Sequence, residues 1–189
     1  MKPSRLILAS ASPRRSMLLR QLGVRFRVEI ADIAEAAPGH LVPREICLAN
    51  ASAKARAVSL RFPGSWVIGA DTEVALGTRV FGKPRNLREA AAFLQELSGK
   101  THQVITGVCV RRGADGFVGA FAETTQVTFH PLTRRQILDY LRRVNPLDKA
   151  GAYAIQEGGE EIVESIEGSL TNVVGLPLGR LRRLLEQLP

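Results

Sequence analysis

The alternation of apolar runs with helical patterns in this 189-residue chain predicts an α/β domain built on a mixed sheet. Three observations carry that prediction. Short apolar runs near residues 6–8 and 65–74 are separated by segments in which apolar residues recur at helical spacing. Two β-rich segments, 103–110 and 117–129, face each other across Gly113, Ala114, Asp115 and Gly116, a hairpin connection that makes part of the sheet antiparallel. The composition, 45% hydrophobic and 23% charged, is that of a globular chain long enough to bury a core. Residues 1–189 read as a single domain, without an internal repeat or linker.

Leu6, Ile7 and Leu8 suit a first buried strand. Ser10, Ala11, Ser12 and Pro13 interrupt it. Ser12 is placed to cap a helix, and Pro13 to take its first position, where a missing N–H costs nothing. Leu18, Leu19 and Leu22 continue at helical spacing until Gly23. Residues 26–30 predict a second strand. From Pro43 to about Arg61 a long helical pattern puts Ile46, Ala49, Ala53, Ala57 and Leu60 on one side. Lys54 sits among alanines, so its stem lies flat and its ammonium reaches outward.

The strand at 65–74 runs apolar up to Gly69-Ala70 and then meets Asp71-Thr72, read as its end. A turn at Gly77-Thr78 leads to Val80 and Phe81. Asn86 with Glu89 marks a helix start, and Gly99 its stop. Beyond the hairpin, Thr133 with Gln136 opens a helix whose core face is Ile137, Leu138, Leu141 and Val144. Residues 153–156 suggest a short strand, Gly158-Gly159 a tight turn, 161–166 more β structure and 168–172 a polar loop. Pro177 starts a last helix carrying Leu181, Leu184, Leu185 and Leu188.

Lys and Arg total 26 against 18 Asp and Glu, a net charge of +8 that favours anionic partners. The basic residues are scattered and aromatics are only 5%, so stacking platforms for single strands are sparse; nucleic acid is permitted but not favoured. No apolar run reaches the length of a membrane span, and Pro13, Arg14 and Arg15 cut the N-terminal run before a signal sequence could develop. Cys47 and Cys109 match no metal or redox spacing, which suits the cytoplasm. His40, His102 and His130 have no ligand spacing and are expected to be structural or on the surface. The oligomeric state is not set; a homodimer is compatible with the sequence.

The phosphate-loop, dinucleotide, zinc-protease and nucleophile-elbow motifs are absent. What the residues offer is an acid at a strand end and several separated cations. The helix start after Ser12, with two serine hydroxyls, free backbone N–H groups and Arg14-Arg15, makes an anion site suited to a polyphosphate. The competing reading is a capped helix with two solvated arginines. Arg15, Lys54 and Lys83 could together neutralise a triphosphate, while Asp71 and Glu35 hold a hard cation such as Mg²⁺. Taken singly, Asp71 reads equally as a turn aspartate and Lys83 as a surface lysine.

Six blocks resemble the Maf family in order and spacing: residues 10–15 (SASPRR), 69–72 (GADT), 82–84 (GKP), 97–104 (LSGKTHQV), 147–156 (LDKAGAYAIQ) and 172–178 (NVVGLPL). The resemblance implies a fold like that of the inosine triphosphate pyrophosphatases, an elongated mixed sheet with two lobes around a central cleft. It also implies hydrolysis of nucleoside triphosphates to monophosphate and pyrophosphate, with a divalent metal, Mg or Mn, as cofactor. Carried over by resemblance, Asp71 falls on the catalytic acid and shares the metal with Glu35. Ser10, Arg15, Lys54 and Lys83 fall on other polar positions of the cleft. Arg14, Thr72 and Gln156 fall on positions that separate subfamilies, and all three resemble the branch acting on dTTP and UTP. Two departures stand out: Glu73 replaces an aliphatic residue, and Glu157, Glu160 and Glu161 make the segment after Gln156 unusually acidic. The rival readings are the same reaction on another base, 7-methyl-GTP or CTP, and a non-catalytic nucleic-acid-binding or septum-formation regulator.

Overall fold

A computed structural model describes residues 6–34 and 42–188; Glu35 lies outside the described residues. Among the described residues the strands form one seven-stranded mixed sheet in the order β2-β1-β3-β5-β6-β7, with β4 paired to β3. β1 (Leu6–Ala9) is parallel both to β2 (Phe26–Val28) and to β3 (Trp66–Leu76). β4 (Arg79–Phe81) returns antiparallel to β3 across the Gly77-Thr78 turn. β5 (Thr101–Arg112) and β6 (Val118–Phe129) form the expected hairpin, and β7 (Val163–Glu167) lies antiparallel to β6.

The chain divides into two compact units. The first takes residues up to Asp71, then Thr106–Glu123 and Gly175 onward. In it α1 (Pro13–Arg20) starts as predicted, with Ser12 Oγ accepting the Arg15 N–H and Pro13 in the first turn. α2 (Pro43–Arg61) has the predicted bounds but a different buried face: Ile46, Cys47, Asn50, Ala51, Lys54, Ala55 and Val58 point inward. Ala49 and Ala53 face solvent, and Leu60 is 71% exposed. The reason lies in the strands beneath. A Cβ on Gly69 of β3 would come within 2.2 Å of the Ala51 carbonyl oxygen, and one on Gly107 of β5 within 2.5 Å of the Cys47 carbonyl. The helix therefore rests backbone to backbone on two strand glycines, and the residues touching them must be the buried ones. Ala51, Ala55 and Val58 complete a small core with Ile7, Ala9, Val67 and Cys109. α6 (Leu178–Glu186) closes the unit with Leu181 and Leu185 buried.

The second unit comprises Thr72–Ile105 and Thr124–Val174. α3 (Leu87–Leu97) is capped by the Asn86 side chain, which accepts the Glu89 N–H. α4 (Arg134–Arg143) carries the predicted Thr133–Gln136 capping box. Its inner face uses Tyr140 where Leu138 was expected; Leu138 is 40% exposed. The core joins Phe81, Leu94, Leu97, Val104, Phe129, Ile137, Tyr140 and Ile162. Two local expectations fail. Residues 153–156 are not a strand but follow a 3-10 turn at Ala150–Ala152, because the segment is held by side chains rather than by a ladder. Of residues 168–172, expected as a polar loop, the last three open the short helix α5 (Leu170–Val174), in which the Asn172 and Val173 amides are met by the carbonyl and hydroxyl oxygens of Ser169.

Candidate functional site

Asp71 is the centre of the first unit's polar chemistry. It lies mid-strand in β3, not at its end, because the chain continues in register to the β4 hairpin. Its carboxylate is gripped on both oxygens: Lys54 Nζ donates to Oδ1 at 2.7 Å, and Asn50 Nδ2 donates to Oδ2 at 3.0 Å. Asn50 and Lys54 are one helical turn apart on α2, so both reach the same group. The ion-paired side chains are only 11% and 8% exposed for Lys54 and Asp71. This corrects the expectation of an outward-reaching ammonium: the close seating of α2 on Gly69 turns Lys54 inward, and the carboxylate compensates its burial.

Asn50 was missed in the sequence. Its signal was available: a polar residue four before Lys54, on the same helix face, is out of place in a buried alanine stripe unless a partner waits for it.

The second set of contacts gathers at the end of β1. The pairing of Ala9 with Gly69 places Ser10 one residue, and Asp71 two residues, past the same step of neighbouring strands. Ser10 is buried, and its Oγ accepts hydrogen bonds from the Ser12 N–H at 3.2 Å and from Arg15 Nη1 at 3.3 Å. Accepting twice directs the serine's own O–H away from both donors. Arg15 Nε donates to the Gly175 carbonyl at 2.9 Å, which holds the guanidinium plane between two fixed oxygens. Two of the backbone amides counted toward an anion site, those of Ser12 and Arg15, are thus bonded to serine hydroxyls. The charge at this helix start comes from arginine side chains more than from its amides. Arg14, its neighbour, is half-buried on α1.

Thr72, Lys83 and Gln156 belong to the second unit. Thr72 follows Asp71 on β3 and is half-buried. Lys83 is exposed in the loop after β4, and Gln156 is exposed in the turn at 155–158. The Gly82 carbonyl, next to Lys83, accepts the Gly151 N–H at 3.2 Å, five residues before Gln156. Glu73 is half-buried on β3, beside Thr72.

Among the described residues no group of three or more His, Cys, Asp or Glu side chains could hold a metal. Each oxygen of Asp71 keeps one lone-pair direction beyond its hydrogen bond. Such a donor set fits a hard divalent cation that takes one or two carboxylates and completes its shell with substrate phosphates and water. His102, another buried acid–base group, belongs to the core. It bonds the Tyr153 hydroxyl at 2.8 Å, and burial pushes its imidazole down to about 4.

The fold is that of known solved proteins. The Ham1 protein of Staphylococcus aureus matches with a TM-score of 0.56 at 15% identity, over 96% of this chain and 98% of that one. A HAM1 protein from Coxiella burnetii matches with 0.57 at 14%, over 97% and 99%. These place the fold in the α/β class of those proteins. The family is set by sequence: residues 5–188 match the model for Maf-like protein, and the chain belongs to that family. Proteins described as dTTP/UTP pyrophosphatase are 48% identical in Symbiobacterium thermophilum and in Myxococcus xanthus. Each alignment covers 96% of this chain, with 93% and 91% of the respective relatives.

Proposed function

We propose that this chain hydrolyses dTTP and UTP to the nucleoside monophosphate and pyrophosphate. The observation that carries this reading is the buried Asp71 carboxylate, fixed on both oxygens by Lys54 and Asn50 beside the Ser10–Arg15 group, in a chain nearly half identical to dTTP/UTP pyrophosphatases. A protein that only bound backbone phosphate would gain nothing from a held carboxylate.

In this mechanism Asp71 orients the attacking water and takes its proton, in line with the bond from the α-phosphorus to the leaving pyrophosphate. Lys54 balances the charge of Asp71 and adds positive potential where charge develops on the phosphates. Arg15 and the Ser10 hydroxyl donate to phosphate oxygens, with Arg15 preset by its bond to Gly175. Lys83 contributes a further cation on its exposed loop, and Arg14, Thr72 and Gln156 select the base. Asp71, with Glu35, would hold a divalent cation, Mg or Mn, which would supply Lewis-acid polarisation of the phosphoryl oxygens. Chelation is expected to abolish turnover, and Mg or Mn to restore it.

The cytoplasm is the proposed location, since nucleoside triphosphates are found there; no described helix is long and apolar enough to cross a membrane. A homodimer remains part of the proposal, tested by sedimentation. The substrate reading is tested by kcat/KM on dTTP, UTP, CTP and 7-methyl-GTP with pyrophosphate as readout. Preference for dTTP and UTP supports it, and equal rates on all four overturn it.

A further inference from the structure

Gln156 sits in a turn, so no sheet ladder holds it, yet a residue that selects a base must present its amide in one orientation. The structure supplies the restraint on both sides. Before Gln156, the Tyr140 hydroxyl accepts the Ala154 N–H at 3.0 Å and donates to the Ala154 carbonyl at 3.2 Å, and Tyr153 is bonded to His102. After it, Glu157 Oε1 lies 3.3 Å from Lys149 Nζ.

Lys149 is itself an unusual residue. Its side chain is only 5% exposed, and its ammonium bonds the Asn145 carbonyl at 2.7 Å and Asp148 at 2.9 Å before meeting Glu157. Two hydrogen bonds thus fix the ammonium, and Glu157 adds an ion pair beside them. The chain between Lys149 and Gln156 passes through Gly151 and Ala152, both at positive φ (70° and 64°). A left-handed alanine that is completely buried persists only where the surroundings fix it.

We infer that Lys149 and Glu157 form a latch that positions the Gln156 turn, making the pair a specificity-determining device for the base although neither residue touches substrate. This rests on the reading of Gln156 as a base-selecting residue. It also assigns a role to the acidic departure at Glu157. That carboxylate is drawn to Lys149, and so does not compete for the Gln156 amide. Because Glu157 is partly exposed and Lys149 keeps two other oxygens, losing the pair should leave global stability nearly unchanged.

The test is a double-mutant cycle read as the ratio of kcat/KM for dTTP to that for CTP. Glu157→Ala is expected to lower that ratio about fivefold, the effect of one lost polar contact, with the thermal midpoint shifted by no more than roughly 2 °C. In a Gln156→Ala background the same change should lower it no further. Lys149→Gln should reproduce the shift. An unchanged ratio in Glu157→Ala, where Gln156→Ala does change it, overturns the latch and leaves the reading of Gln156 standing. Additive losses also overturn the latch, since the pair then acts elsewhere. No change in Gln156→Ala removes the reading of Gln156, and the latch with it.

Discussion

Gly69 lies against the backbone of Ala51 so closely that a β-carbon on the glycine would sit 2.2 Å from the Ala51 carbonyl oxygen. This approach fixes the height of α2 over β3 and so brings Asn50 and Lys54, on either side of Ala51, down to Asp71. Gly69→Ala must push the helix away. The expected result is a stability loss of at least ~1–3 kcal/mol, as for overpacked cores, and lower turnover in whatever fraction folds. Urea unfolding of Gly69→Ala and of Gly107→Ala checks this, since both glycines seat the same helix.

The Asp71 charge serves both stability and catalysis, and two variants separate the roles. Asp71→Asn leaves the buried Lys54 ammonium without its carboxylate, costing about 3 kcal/mol, and lowers turnover by roughly 10²-fold or more. The double variant Lys54→Met/Asp71→Leu removes both charges and should recover most of the stability with no activity. Denaturant midpoints and turnover measured on the same samples decide. Near-normal turnover in folded Asp71→Asn would make the carboxylate structural.

Asn50 holds the other oxygen of that carboxylate. Asn50→Ala should lower kcat by about fivefold to tenfold with little change in KM, the cost of one hydrogen bond to a charged group. A rise in KM at constant kcat would place Asn50 in substrate binding. Steady-state kinetics on dTTP distinguishes the two.

The helices that carry this site were legible in the sequence because local chemistry set their ends. Ser12 and Pro13 do at α1 what a cap and a first-turn proline do anywhere, and the bounds of α2 follow from its own pattern. The buried face of α2 was not legible. Its alanines are nearly equivalent by hydrophobicity, and the choice among them is made by Gly69 and Gly107, which are far off in sequence. The same cause hid the inward turn of Lys54 and the role of Asn50. Residues 153–156 carry β-forming side chains, but Tyr140 and His102 hold the segment from outside, so tertiary contacts override the local preference.

His102 makes stability depend on pH. Its folded value of about 4 lies below the ordinary 6.5 because burial penalises the imidazolium. Between those values the unfolded chain binds a proton that the folded chain does not. Stability is therefore complete above about pH 6.5 and falls as pH drops toward 4, by up to about 3 kcal/mol from this group. In His102→Gln the slope across that window should flatten, whatever the substitution does to stability at pH 7. Urea midpoints at pH 4.5, 5.5 and 7 measure it.

The central claim concerns which phosphorus is attacked. Hydrolysis of dTTP in ¹⁸O-enriched water, with mass analysis of both products, reads it directly. Attack at the α-phosphorus predicts dTMP carrying one ¹⁸O and unlabelled pyrophosphate, one of each per turnover. Orthophosphate released together with dTDP, or label found in pyrophosphate, would contradict it.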